Sequence, residues 1–141
     1  MRYVISELYV GQSAEFTKTI SESDVYLFAG ITGAQKPMQV NEVYAKQTRY
    51  GERIVHGMLS SSLISTVIGT QLPGNGTIYV QQKIEFKAPV FFGDTISAVV
   101  EVTDIYLDKN RVKLRTYCKN QDGDIVLDGF ASVIPPKPSR L

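Results

Sequence analysis

An α+β fold, with one long helix wrapped by a curved antiparallel sheet, is what this sequence predicts, and three observations predict it. The second half of the chain is strand after strand. A single helical segment rich in small residues stands just before it. One strand and short helices occupy the first third.

The strand-rich half carries the clearest pattern. Thr77 to Phe86, Thr95 to about Tyr106, Arg111 to Lys119 and Asp124 to Ile134 are dense in Val, Ile, Thr, Tyr and Phe. Between them stand Pro89 with Gly93-Asp94, then Asp108-Lys109-Asn110, then Asp122-Gly123, all residues suited to turns. A strand of about 12 residues at roughly 3.3 Å per residue spans about 40 Å, so a sheet in so small a protein must curve. Pro135, Pro136 and Pro138 cannot donate ladder hydrogen bonds, which predicts that the last strand stops near Ile134.

From Gly57 to about Gly69 the apolar residues Met58, Leu59, Leu63, Ile64, Val67 and Ile68 follow helical spacing. Ser60, Ser61, Ser62 and Ser65 keep the other faces small, so the helix is expected to be closely approached all round. In the first third, Phe16 and Ile20 share one strand face, opposite Glu15, Thr17 and Thr19. Lys18 falls on the apolar face, which suits an edge strand where a lysine reaches water. Ser21 precedes Asp24 by three positions, a capping-box start for a helix through Val25, Phe28 and Ala29. Thr32 to Gln39, with Gly33 and Pro37, is expected to be a loop. A second helix is expected from Asn41 toward Tyr50, ending at Gly51.

Bulk properties narrow the function. The 141 residues suit one domain, 1–141, with a real core. A net charge of +1, with scattered basic residues, gives no expectation of nucleic acid or of an anionic membrane surface as partner. No stretch reaches the roughly 18 apolar residues of a membrane span, and no signal-peptide pattern opens the chain. One cysteine, Cys118, shares a strand face with Val112, Leu114 and Thr116 and is expected to be a core thiol. A lone thiol fits a reducing compartment, so the expected location is cytoplasmic. One histidine and one cysteine supply no zinc cluster, so no metal is expected.

Two stretches carry a family resemblance. Arg53-Ile54-Val55-His56-Gly57-Met58-Leu59 opens the central helix. Leu72-Pro73-Gly74-Asn75-Gly76-Thr77-Ile78-Tyr79 follows, and then Ile84-Glu85-Phe86-Lys87-Ala88-Pro89-Val90-Phe91-Phe92-Gly93-Asp94-Thr95. In this order and spacing they resemble the MaoC-like (R)-specific enoyl-CoA hydratases, over about Phe16 to Val133. The resemblance implies a hot-dog fold, an acyl-CoA or acyl carrier protein thioester as ligand, a homodimer with sites near its interface, and no cofactor. It also implies that the Gly57 N–H polarises the thioester carbonyl as an oxyanion-hole donor. A glycine required for tight helix–sheet packing is the other role open to Gly57.

The same resemblance exposes a departure. The family loop carries an aspartate, then an asparagine, a proline and a histidine. Here it reads Thr32-Gly33-Ala34-Gln35-Lys36-Pro37-Met38-Gln39. Ala34 stands in the place of the aspartate, Lys36 of the asparagine and Gln39 of the histidine, and Asn41 replaces a common aspartate. Hydrating a trans-2-enoyl thioester requires a base for water and a proton donor for the α-carbon. An alanine methyl accepts no proton, and a glutamine amide does not titrate near neutrality. Ser65 matches a serine that orients the catalytic water, or is simply a small residue in a packed helix. His56 matches a helix-entrance histidine that is not the catalytic one. Lys36 is either a solvated loop cation or a cation at the pocket mouth. The expected function is therefore a hydratase-like acyl-thioester binder with weak or lost hydration. A lyase or thioesterase using Glu42 or His56, and a non-catalytic partner of an active homologue, are the alternatives.

Overall fold

The computed structural model describes residues 1–138. Five antiparallel strands form one sheet in the order β1-β3-β4-β5-β2. They are β1 (Ser13–Thr19), β2 (Ile78–Phe86), β3 (Thr95–Tyr106), β4 (Arg111–Lys119) and β5 (Ile125–Ile134). The helices are α1 (Glu22–Thr32), α2 (Pro37–Val40), α3 (Glu42–Lys46) and α4 (Gly57–Thr70). Short 3₁₀ turns cover Ile5–Glu7 and Leu107–Lys109. The later strands lie within a residue of the sequence expectation, and β5 stops at Ile134 before the prolines.

Period-two burial explains the sheet. On β4, Val112, Leu114, Thr116 and Cys118 are buried while their neighbours are not. On β3, Ile96, Ala98, Val100 and Val102 do the same, with Val99 buried as well. These residues meet Leu59, Leu63, Ile64, Val67 and Ile68 of α4, which packs chiefly over β3, β1 and β4. Register shifts at Tyr79/Gln81, Val102/Asp104 and Cys118/Lys119 bend the long strands. The helix thus lies in the concavity of the sheet. Cys118 is buried, its thiol is pushed up to about 12 by burial, and its Sγ lies 3.6 Å from the Ser60 carbonyl oxygen.

At the sheet edge, β1 carries Lys18 on its inward face, where the ammonium pairs with Asp24 at 3.2 Å. Ser21 Oγ accepts from Asp24 N–H, and Asp24 Oδ2 accepts from Ser21 N–H, which closes the capping box. α1 ends at Gly33 with φ of 79°, a conformation that favours glycine.

Three expectations need correction. The 32–39 segment is not all loop: Thr32 completes α1, and Pro37 opens the one-turn α2. Proline suits a first helical position because its missing N–H costs nothing there. The helix expected to reach Tyr50 ends at Lys46. Gln47 N–H bonds Tyr44 O, Thr48 Oγ1 donates to Ala45 O, and Tyr50 N–H returns to Thr48 Oγ1, so local bonds close the chain into turns. Finally, α4 is not approached all round in the single chain. Ser60 and Ser61 are buried, but Ser62, Ser65 and Gly69 are exposed.

Candidate acyl-thioester site

The loop after α1 and the entrance of α4 are brought together by main-chain and side-chain bonds. The Ala34 carbonyl oxygen lies 2.6 Å from His56 Nε2. Ile54 N–H donates to Met38 O at 3.2 Å, and Tyr26 OH donates to Val40 O at 3.2 Å. Arg53 ties the same region to α1, with Nη2 at 2.7 Å from Glu22 and Nη1 at 2.8 Å from the Tyr26 hydroxyl. Its guanidinium also lies over the Phe92 ring at 4.5 Å. On the other flank, Val55 N–H donates to Val90 O at 2.7 Å.

These ties border a half-open chamber of about 320 Å³ lined by Phe28, Thr32, Ala34, Lys36, Gln39, His56, Gly57 and Met58. Ala34 and Gln39 therefore share one cavity with Gly57. Gln39 and His56 are buried, at 6% and 7% exposure. Their Gln39 Oε1 and His56 Nδ1 atoms are buried without a hydrogen-bond partner. The His56 ring also packs tilted against Phe28, with centroids 5.1 Å apart. Because a carbonyl oxygen only accepts, the short contact to Ala34 places a proton on His56 Nε2.

A second cavity of about 660 Å³ meets the first at Gly57 and Met58. Its walls include Val55, Phe86, Pro89, Val90, Val126 and Leu127, with Arg49, Tyr50 and Lys87 also along it. Ser60 lines it too, 1% exposed and with an unpartnered Oγ. No signal in the sequence marked Ser60 beyond its lying one helical turn from Gly57.

Gly57 is the hinge of the arrangement. It is the first residue of α4, where the helix has no carbonyl to offer the N–H groups of its opening turn. A Cβ placed there would lie 2.7 Å from the Phe86 ring. A side chain at this position would have to displace the Phe86 ring, which is itself exposed.

Other residues singled out in the sequence lie elsewhere. Ser65 is exposed and lines neither cavity, about 12 Å along the axis from Gly57 at 1.5 Å per residue. Glu42 lies in a different cleft with Lys46, Glu52, Arg53 and Phe92, and its nearest cation is Lys46 at 4.0 Å. Lys36 is exposed and lines the chamber. No group of three or more His, Cys, Asp or Glu able to hold a metal occurs among the described residues. No helix among them is long and apolar enough to cross a membrane.

Comparison with known proteins assigns this architecture. A MaoC like domain model matches residues 7–122. An (R)-specific enoyl-CoA hydratase of Rhodospirillum rubrum is 49% identical, covering 95% of this chain and 92% of that protein. A 3-hydroxybutyryl-CoA dehydratase of Methylorubrum extorquens is 43% identical, covering 93% of this chain and 83% of that protein. The unliganded R-hydratase of Pseudomonas aeruginosa superposes with a TM-score of 0.92 at 45% identity, covering 96% of this chain and 87% of that one. The chain belongs to the MaoC-like domain family, and its fold is the hot-dog fold of these hydratases.

Proposed function

We propose that this protein binds acyl thioesters at the start of α4 and hydrates enoyl thioesters weakly or not at all. One observation carries the reading. Two cavities share Gly57 and Met58 in their walls, and the smaller is lined by Ala34 and Gln39, with no carboxylate among its lining residues. The relatives named as an enoyl-CoA hydratase and a hydroxybutyryl-CoA dehydratase support an acyl-thioester ligand.

In this reading the thioester carbonyl accepts from Gly57 N–H, where the helix N-terminus adds its partial positive charge. The acyl end enters the chamber. The pantetheine arm follows the apolar groove, and Arg49 and Lys87 meet the phosphates of CoA. An acyl carrier protein would deliver the same phosphopantetheine arm, and the chemistry at Gly57 would be unchanged. No cofactor takes part. Turnover fails because water lacks its base and the α-carbon lacks its donor, each worth about 10²–10⁴-fold in rate. Ser65, expected to orient water, has no such task without the pair.

A thermal-shift measurement with butyryl-CoA, a saturated and inert ligand, tests the binding half. Butyryl-CoA at a hundred times its Kd is expected to stabilise the fold by about 2.7 kcal/mol. Free CoA is expected to shift the melting temperature less. Equal shifts from the two ligands, or none, would contradict acyl recognition at Gly57.

A further inference from the structure

We infer that the outer face of the sheet carries a second binding site, a cleft across β2, β5 and β4 that takes the phosphate group of a small phosphorylated molecule. The inference is independent of the acyl-thioester reading, because this cleft and α4 lie on opposite faces of the sheet. Side chains alternate between the faces of a strand. Leu114 and Thr116 on β4, and Leu127 and Ala131 on β5, are buried on the helix side. Arg115, Asp128 and Phe130 stand between them and point outward. Lys83 and Glu85 do the same on β2, between the half-buried Gln82 and Ile84 and the inward Phe86. Strand pairing sets Lys83, Phe130 and Arg115 side by side across the three strands. They border an open cleft of about 270 Å³, with Lys87 at one end.

Charge decides what the cleft takes. Its carboxylates are already engaged. Asp128 accepts from Arg115 Nη2 at 3.0 Å, from Arg115 Nε at 3.4 Å and from the Gly129 N–H at 2.9 Å, and Glu85 faces Lys87 at 3.4 Å. Glu101, opposite Arg115 on β3, lines no part of the cleft. Lys83 has no carboxylate partner among the described residues, and neither has Lys113 beside it. Their ammonium groups lie instead over the one ring of Phe130, at 5.9 Å and 4.4 Å from its centroid. Two cations drawn to one ring repel each other, and an anion held between them and Arg115 offsets that repulsion. Arg115 is set for this task. Asp128 and the Tyr117 ring, 4.3 Å from the guanidinium carbon, fix its plane, while its Nη1 donors take no part in the Asp128 bonds. A phosphate suits the arrangement better than a carboxylate, because its three acceptor oxygens can be shared among separate cations.

Isothermal titration of the full chain with inorganic pyrophosphate at low ionic strength tests this directly. The wild-type protein is expected to bind it, and less tightly as added salt screens the exposed cations. Lys83→Gln with Lys113→Gln breaks no ion pair and is expected to keep the melting temperature. It is expected to weaken pyrophosphate binding about tenfold or more, as the loss of charge-assisted hydrogen bonds implies. Lys87 lines both this cleft and the larger cavity, so the phosphates of a bound CoA thioester are the rival source of the same chemistry. Repeating the titration with saturating butyryl-CoA separates the two. Pyrophosphate that still binds, with unchanged affinity, is the result expected of a second site. Displacement by butyryl-CoA would show that the cleft only receives the nucleotide end of that ligand, and would overturn the inference. Absence of pyrophosphate binding to the wild type would overturn it too. So would a folded double variant that binds pyrophosphate as tightly as the wild type.

Discussion

Restoring an aspartate and a histidine to the chamber, as Ala34→Asp with Gln39→His, is expected to raise crotonyl-CoA hydration by at least 10²-fold, since each acid or base contributes about 10²–10⁴-fold. The frame for both side chains is in place. α1 ends at Gly33, the Ala34 carbonyl is fixed to His56, and Gln39 lies buried on the one-turn helix that Pro37 opens. Neither substitution removes the main-chain carbonyl of residue 34. The gain is expected to be cooperative. The aspartate alone gives water a base but leaves the α-carbon without its donor, and the histidine alone returns a titratable group without its carboxylate. Residues that act as a unit are strongly non-additive. Lys36 lines the same chamber, and its ammonium beside a new carboxylate would lower the basicity of that carboxylate. Lys36→Asn added to the pair is therefore expected to raise the rate further. A folded double variant that binds butyryl-CoA yet stays at the background rate would refute the carried-over roles of positions 34 and 39.

Assembly should show an equally large effect. The free edge of the sheet at β2 exposes Ile78 (58%), Val80 (46%) and Phe86 (55%), and Met58 beside it at the α4 entrance is 60% exposed. An apolar edge strand of this kind is a pairing liability unless another strand covers it. A second copy, adding its own β2, would extend the sheet and shelter the groove wall that includes Phe86 and Met58. The expected species is a homodimer, with a light-scattering mass twice the 15.7 kDa of one chain. Ile78→Lys with Val80→Lys is expected to yield a folded monomer, because both side chains are already exposed in the single chain. A wild-type monomer at micromolar concentration would contradict this. So would a double-lysine variant that remains a dimer.

The sheet was legible residue by residue because its signals are local. The alternation at Val112, Leu114, Thr116 and Cys118 needs only one strand to be read. So do the turn residues Asp108-Lys109-Asn110, where Asn110 takes a φ of 48°. The α1 capping box lies within four residues and was equally plain. The termination of α3 was not, because Thr48 diverts the backbone through its own hydroxyl, a competition that helix propensity does not register. The loop positions Ala34 and Gln39 were found through the family pattern, and the structure brings both to one chamber. The meeting of two cavities at Gly57 was out of reach. It depends on Phe86, Val126 and Leu127, which are far from Gly57 in sequence and reach it only through strand pairing. The exposure of Ser62 and Ser65 was hidden for the opposite reason: small side chains suit a buried helix and a helix face awaiting a partner alike.

The Gly57 site is proposed to hold an acyl thioester without the means to hydrate it. Mixing the wild-type protein with crotonyl-CoA at equal concentrations, and following the absorbance of the conjugated enoyl thioester, tests it most directly. The absorbance is expected to persist for many minutes while the complex forms, as read in parallel from a shifted melting temperature. Loss of the enoyl signal at about 10 per second or faster, a median enzyme rate, would contradict it and show that this chamber retains a working acid and base.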